Sequence, residues 1–340
     1  MAELRINPVT GERVILSPRR AARPADLARP GDAQGGGRGL EAGCPFCPGN
    51  EAETPLEVMV RAPEGRLPDQ PGWLLRVVPN LYPALEPGKR TGDGTASREP
   101  GLLQSSPVAG FHEVIIHSPD HHAGLAELDA QGVARVMEAY RDRVLAHRRE
   151  PGIGYVQVIL NHGGGSGASL SHSHSQVFAL PFVPSRVELE MRRARAWRRR
   201  GGGCLFCELI EAERRGERLV LDEGGFIAFC AFAPRFPFET WLLPRAHASR
   251  FEGSDDAGLE ALGEALRHLL GSVFRGLGDP PYNLYLHTSP CYAKASHPYY
   301  HWHFELLPRL AEWGGFEMAS DTVICTVPPE EAAGLLRSRL

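Results

Sequence analysis

The sequence predicts a mixed fold of strands and amphipathic helices, assembled from two equivalent halves. Three observations lead there. Short β-rich runs alternate with long segments of helical periodicity. A Cys-x-x-Cys pair opens each half, as Cys44-Pro45-Phe46-Cys47 and as Cys204-Leu205-Phe206-Cys207. Behind each pair the same order follows: a strand, a lone histidine (His121 or His247), an amphipathic helix, a second strand and a His-x-His (His172 and His174, or His301 and His303). The interval from lone histidine to His-x-His is 51 residues in the first half, from 121 to 172, and 54 in the second, from 247 to 301. Five elements in one order at matching intervals mark an internal duplication.

Each element has its own signal. Segments 112–117 (HEVIIH), 155–160 (YVQVIL), 226–232 (FIAFCAF), 282–287 (YNLYLH) and 301–307 (HWHFELL) are rich in β-branched and aromatic residues and are predicted strands. Residues 129–147 carry Val133, Val136, Met137, Tyr140, Val144 and Leu145 at helical spacing, and 255–277 carry Leu259, Leu262, Leu266, Leu269, Leu270 and Val273 likewise. Such stripes predict two helices laid over a core. Residues 24–43 and 86–101, dense in Gly and Pro, are predicted loops. The basic run 192–200 (RRARAWRRR) stops at Gly201-Gly202-Gly203, which predicts a solvated helix end before a hinge rather than a nucleic-acid surface. The duplication divides the chain into an N-terminal half, 1–195, and a C-terminal half, 196–340.

Composition narrows the function classes. A chain of 340 residues can bury a large core. With 37 basic against 41 acidic side chains, no global field would hold a nucleic acid or an anionic membrane, so any phosphate must be gripped locally. No run approaches the roughly 18 apolar residues of a membrane span, and the start, Met1-Ala2-Glu3-Leu4-Arg5, lacks a signal-peptide stretch. A cytoplasmic protein is the expectation. Seven cysteines, four of them in the two pairs, then point to metal ligation rather than disulfides.

Zinc takes four N or S ligands in a tetrahedron, and each Cys-x-x-Cys supplies two thiolates. His121 and His172 complete a Cys2His2 set with Cys44 and Cys47; His247 and His301 complete one with Cys204 and Cys207. Four protein ligands leave no position for substrate, so both Zn2+ sites are expected to be structural. Two alternatives stay open on the sequence. Each pair also fits two buried cysteines. In the second half, His287, His303 and Glu190 with His301 also fit a harder site. The remaining histidines, among them His112, His117, His122, His147, His162, His268 and His297, read as surface or hydrogen-bonded core residues, with His122 able to exchange roles with its neighbour His121.

The phosphate chemistry is expected in the run Ser171-His172-Ser173-His174-Ser175-Gln176. In an extended segment His172, His174 and Gln176 share one face. A metal-bound His172 would pin the strand and place His174, whose neutral imidazole becomes nucleophilic at one nitrogen once the other donates its proton to a carbonyl. That makes His174 able to take a nucleotidyl group covalently. Upstream, Asn161 opens a Gly- and Ser-rich loop that runs to Ser169 and is suited to bringing N–H groups and hydroxyls against phosphate oxygens. Gln176 and Ser169 are the candidates for stabilising charge at phosphorus. Two histidines that only bind metal fit the same run.

On these residues the chain resembles the galactose-1-phosphate uridylyltransferase family, the transferase branch of the histidine triad superfamily, along essentially its full length. The resemblance rests on Asn7-Pro8-Val9-Thr10-Gly11, on 17–24 (SPRRAARP), the Cys44 pair, Asn80-Leu81-Tyr82-Pro83, Ser118-Pro119-Asp120-His121, the His172 to Gln176 run, Pro237-Phe238-Glu239-Thr240 and Gly314-Gly315-Phe316-Glu317. It implies an α+β fold of two tandem histidine-triad-like domains with antiparallel sheets flanked by helices. It implies a two-step exchange in which UDP-glucose gives its uridylyl group to His174 and a hexose 1-phosphate, galactose 1-phosphate in the family, collects it. By the same matching Gln176 and Ser169 contact the transferring phosphate, Arg20, Arg23 and Asn80 line the nucleotide site with Asn161 beside them, and Phe316 and Glu317 lie near the sugar. A homodimer is implied as well.

The chain departs from that pattern in two places. It reads His-Ser-His-Ser-Gln where many uridylyltransferases read His-Pro-His-Gly-Gln, and Asn-Leu-Tyr-Pro stands for an Asn-Asp-Phe-like run at the base pocket. These features, the second Cys-x-x-Cys and His287-Thr288-Ser289-Pro290 are similar to ADP-glucose phosphorylase, a sibling that passes an adenylyl group from histidine to inorganic phosphate. The sequence therefore puts a UDP-glucose:hexose-1-phosphate uridylyltransferase first and an ADP-glucose phosphorylase second. A histidine-triad nucleotide hydrolase and a zinc module that only binds come after them. The second half is expected to be catalytically silent, because Glu305 stands where Gln176 does and would repel a phosphate.

Overall fold

The structure, a computed structural model, describes residues 2–22, 43–86, 102, 105, 107–291 and 297–340. Arg23 and nearly all of the loops expected at 24–43 and 86–101 lie outside the described residues. In chain order the strands are β1 (Glu3–Ile6), β2 (Arg13–Leu16), β3 (Met59–Arg61), β4 (Leu75–Pro79), β5 (Phe111–Ile116), β6 (Tyr155–His162), β7 (His174–Leu180), β8 (Leu219–Glu223), β9 (Phe226–Cys230), β10 (Thr240–Pro244), β11 (Tyr282–His287), β12 (His303–Pro308) and β13 (Thr322–Cys325). The helices are α1 (Ala130–Arg148), α2 (Ser185–Arg199), α3 (Leu205–Glu213), α4 (Asp256–Leu277), α5 (Gly315–Ser320) and α6 (Pro329–Arg337). The architecture is α+β. The 195/196 division falls within α2.

Ten strands form one antiparallel sheet in the order β3-β4-β5-β7-β6-β11-β12-β10-β9-β8, and β1, β2 and β13 form a second, small sheet. Read from either end, the large sheet gives the same sequence of parts, so β5 matches β10, β7 matches β12 and β6 matches β11 across the central β6–β11 pair. The partner of β5 is thus β10, not the 226–232 strand that the sequence order had set against it. Residues 240–244 (TWLLP) are buried on both faces, which removes the alternation that would have revealed them.

The two long helices lie side by side on one face of the sheet. Asp129 and Asp255 accept from the N–H groups of Gly132 and Gly258 and cap them. Their stripes, Val133 to Val144 and Leu259 to Val273, join Val77, Ile115, Val158, Val177, Leu284 and Leu306 in one core. Each such Leu or Val buried contributes about 1.5–3 kcal/mol. The helices touch at Gly263, where a Cβ would meet the Ala134 nitrogen at 2.9 Å. The other face is covered unevenly. Over the second half, α2 and α3 pack Val187, Met191, Leu205, Phe206 and Ile210 against β9 and β10. Over the first half, among the described residues, lies a small cluster of Cys44, Phe46, Cys47 and Trp73 against Val78, Val114 and Ile116. As expected, 192–200 is the exposed end of α2, stopped at Gly201 with φ 92°.

Candidate active site and metal centres

β7 begins at His174 between β5 and β6. Val177 and Ala179 face the α1 core, so alternation turns His174, Gln176 and Phe178 to the thinly covered face, opposite Ile116, Val114 and His112 of β5. The His174 Nδ1–H donates to the His172 carbonyl at 2.8 Å, which leaves the Nε2 lone pair free. Phe46 sets its ring against the imidazole edge-on, with centroids 5.2 Å apart. Burial pushes His174 below the ordinary histidine range, and the bond to the carbonyl partly opposes this. The ring is neutral, held and 7% exposed, so a ligand can still reach it.

The pin for this strand is next door. Cys44, Cys47, His121 and His172 bring their ligand atoms within 4.8 Å of one another, all four buried. The Cys44 Sγ to His172 Nδ1 distance is 3.6 Å, Cys47 Sγ to His172 Nδ1 3.7 Å and Cys47 Sγ to His121 Nδ1 3.4 Å. A zinc tetrahedron with Zn–S of about 2.3 Å and Zn–N of about 2.05 Å has S···N edges of about 3.6 Å, so the donor set fits zinc. The tautomers fit too. His172 donates Nε2–H to the Ser118 carbonyl at 2.8 Å, and His121 Nε2 meets Ser171 Oγ at 2.9 Å, so both Nδ1 atoms face the thiols. His122 stays outside the set.

The second set repeats the first. Cys204, Cys207, His247 and His301 lie equally close, with Cys207 Sγ 3.4 Å from His247 Nδ1 and 3.6 Å from His301 Nδ1. His301 Nε2–H donates to the Pro244 carbonyl at 2.9 Å, as His172 does to Ser118. This orientation gives His301 to the cysteines. Glu190, His287 and His303 form a third buried group, but Glu305 takes the place there that the sequence had left open for His301.

Two histidines that the sequence assigned to bland roles bear on the site. His112 Nε2 lies 2.8 Å from Gln176 Oε1, and its ring stacks on Phe178 with centroids 4.0 Å apart. His117, on the other side of the strands, bridges Ser173 Oγ at 2.9 Å and Ser175 Oγ at 2.7 Å, while Ser175 also bonds the Tyr140 hydroxyl. Both serines of the His-Ser-His-Ser-Gln run thus tie β7 to β5 and α1 from behind. The sequence shows that His112 and Ile116 share one face of the strand expected at 112–117, but that this face lies beside β7 follows from the β5–β7 register.

The other expected site residues are scattered more widely. Asn80 faces His112, its Nδ2 3.1 Å from His112 Nε2, at the rim of a cavity of about 400 Å³ that is lined also by Phe111 and Glu113 and, from α1, by Arg143 and His147, with His174 and Gln176 outside its lining. Asn161, near the end of β6, accepts from Asn283 Nδ2 at 2.8 Å, and Ser169 is exposed in the loop before β7. Arg20 sits in the helical turn Pro18–Ala22 that follows β2. Phe316 and Glu317 lie on α5, where Glu317 accepts from the Gly314 N–H at 2.9 Å, and neither bonds to or stacks on β7 among the described residues.

Residues 1–184 match the model of the galactose-1-phosphate uridyl transferase N-terminal domain. An ADP-glucose phosphorylase of Arabidopsis thaliana is 37% identical over 338 residues, 98% of this chain and 92% of the relative. The chain belongs to the galactose-1-phosphate uridylyltransferase family. A galactose-1-phosphate uridylyltransferase of Thermotoga maritima is 28% identical over 345 residues, 99% of this chain and 98% of that one. Among solved structures, an Arabidopsis thaliana ADP-glucose phosphorylase with bound ADP-glucose superposes with a TM-score of 0.83 at 35% identity, covering 99% of both chains.

In this member of the uridylyltransferase family the equivalent of the His174 site in the second half is filled. Val114 lies opposite Gln176, and at the matching register Trp241 lies opposite Glu305. The indole stacks on His303 with centroids 5.0 Å apart, and Phe206 and Tyr300 close the other sides, leaving His303 with 0% exposure. Arg235 bonds Glu305, Glu239 and the Tyr285 hydroxyl. Arg235 and Arg186 hold the buried Glu305 carboxyl far below its ordinary range, against the burial that opposes them. Trp241 thus covers His303, and Glu305, from which the sequence reading expected repulsion of a phosphate, is paired with Arg235. Arg235→Met would leave the buried Glu239 without the cation that bonds it and the buried Glu305 with Arg186 alone. The expected loss is about 3–4 kcal/mol of unfolding free energy in urea titration, and an unchanged midpoint would mean that the pair carries no net stability.

Proposed function

We propose that the chain is a nucleotidyltransferase that moves an adenylyl group from ADP-glucose, through His174, to inorganic phosphate. The observation that carries this is the single held imidazole of the first half: Nδ1 committed to the His172 carbonyl, Nε2 free, Gln176 two residues along on the same face. In the first step the Nε2 lone pair attacks the α-phosphorus, a P–N bond forms, and the P–O bond to glucose 1-phosphate breaks with the electron pair leaving on its phosphate. The charge left on the ring is stabilised by the Nδ1–H bond to the carbonyl. In the second step an oxygen of inorganic phosphate attacks the same phosphorus, the P–N bond breaks, and ADP departs with His174 neutral again. Gln176 and Ser169 donate to the non-bridging oxygens. Arg20, Arg23, Asn80 and Asn161 serve the nucleotide, and Phe316 and Glu317 serve the sugar. The two Cys2His2 sets would hold zinc, which would fix the backbone there and leave no position for substrate.

The base and acceptor rest on relatedness: 37% identity to the phosphorylase over nearly the whole chain. Uridylyl transfer from UDP-glucose to a hexose 1-phosphate is the second reading, favoured by the N-terminal family match and the Thermotoga maritima relative. Incubation with ADP-glucose alone and with UDP-glucose alone, followed by intact-protein mass spectrometry, separates them. An adenylate adduct from ADP-glucose only is the expected result, and a uridylate adduct only would install the second reading. Rapid release of free nucleoside monophosphate without any acceptor would instead make the protein a hydrolase. The proposal includes a cytoplasmic homodimer, for which light scattering should return twice the chain mass.

A further inference from the structure

Gln176 can stabilise charge on a phosphoryl oxygen only through its NH2 group, so the carboxamide must be turned the right way round. Nothing in a glutamine fixes that choice, because its oxygen and nitrogen ends are nearly the same size. The surroundings of His112 fix it. The main-chain N–H of Ala84 donates to His112 Nδ1 at 3.2 Å. A nitrogen that accepts from a rigid backbone donor carries no proton of its own, so the proton of the neutral ring is on Nε2. Burial pushes His112 below its ordinary range and keeps the ring neutral. Nε2–H then faces Gln176 at 2.8 Å, and the end of the carboxamide that accepts there is its oxygen. Asn80 also approaches this Nε2, with its Nδ2 at 3.1 Å while the Tyr82 N–H holds its Oδ1 at 2.8 Å. A side-chain amide can swing away from a second donor and a main-chain N–H cannot, so the Ala84 contact decides the tautomer. Phe178, stacked on the ring, keeps it from tipping. With its oxygen engaged, Gln176 has an NH2 group that finds no partner among the described residues, on the half-buried face that it shares with His174.

We infer that His112 is a positioning residue for nucleotidyl transfer: through Nε2–H it holds the Gln176 oxygen and so presents the Gln176 NH2 group to the phosphorus bound at His174. The inference rests on the proposed covalent chemistry of His174 and adds the residue that orients its stabiliser. Because the hydrogen bond from Gln176 strengthens as charge develops, its loss acts on the transition state more than on the bound donor.

The test uses the full chain with the donor that labels His174, in His112→Ala, His112→Gln, Gln176→Ala and the His112→Ala/Gln176→Ala double variant. His112→Ala should lower kcat about 10- to 100-fold, the range typical of lost supporting hydrogen bonds, with donor KM within about threefold. His112→Gln, whose amide nitrogen comes near the place of Nε2, should recover most of that loss. The double variant should be no slower than Gln176→Ala, since without the carboxamide there is nothing left to orient. A His112→Ala loss of equal size in both backgrounds, or none in either, overturns the inference. Wild-type protein that turns over without forming an adduct would sink the covalent reading instead, and the adduct measurement on wild type keeps the two failures apart.

Discussion

His174→Gly is expected to lose both half-reactions, with turnover down by about four orders of magnitude or more, while zinc content stays at the wild-type value. The size follows from what is removed. A covalent nucleophile splits one displacement at phosphorus into two, and without it neither half has a partner, so the cost is of the kind seen when a catalytic nucleophile is deleted. Zinc is spared because the His174 ring points its Nδ1 at a backbone carbonyl and not at the thiols. His174→Asn, which keeps more volume beside Phe46, separates chemistry from packing, because a strand glycine adds its own cost. Mass spectrometry with donor alone should show adduct on wild type and none on either variant. Wild-type kcat in His174→Gly would end the assignment of the nucleophile.

Much of this site was legible in the sequence because its parts are local or duplicated. The His-x-His run, the two Cys-x-x-Cys turns and the matching intervals of 51 and 54 residues sit in the primary structure, and the structure brings each Cys2His2 group together in a form that could hold a metal ion. So do the two helices, whose Asp caps and apolar stripes are local signals. What depends on strand register was not legible. Trp241 covers His303 only because β10 pairs with β12 so that residue 241 meets 305, and nothing near Trp241 in the chain announces that partner. Arg235, between a buried Glu239 four residues on and Glu305 seventy residues on, is the same case.

The joining of the halves lies at the same level. Each half alone ends its sheet at β6 or β11, and those two strands pair antiparallel, with Asn161 and Asn283 in register and bonded through their side chains. A strand left unpaired at that place would expose a row of backbone donors and acceptors. The duplication therefore makes one ten-stranded sheet, and the face away from α1 and α4 is covered differently over its two halves. α2 and α3 cover the second half, whereas among the described residues the first carries the Cys44 to Trp73 cluster beside His174, which is 7% exposed. The small β1-β2-β13 sheet was missed for a simpler reason: its four-residue strands are too short, and β1 too exposed, to show a pattern.

Cys44→Ala is expected to lose the first zinc ion and about 5 kcal/mol or more of stability, and to lose them before it loses chemistry. The four donors come from three separate stretches of chain: the 44–47 turn, His121 after β5 and His172 before β7. Closing them on one ion ties these stretches together, and structural zinc contributes on the order of 10 kcal/mol in small domains, of which a chain with this much core needs only part. Without the thiolate, His172 keeps its bond to the Ser118 carbonyl, so the strand is loosened rather than released. Below the lowered melting temperature the variant should still form the nucleotidyl adduct, at a rate reduced about 10- to 100-fold. Cys204→Ala is the comparison that isolates the reason. It should lose the second zinc ion, yet adduct formation should hold, because the strand that this site pins carries His303, which is shut away beneath Trp241. Zinc stoichiometry that stays at the wild-type value in Cys44→Ala would refute the first site. An equal loss of adduct rate in both variants would mean that zinc acts on the whole sheet and not on the strand that presents His174.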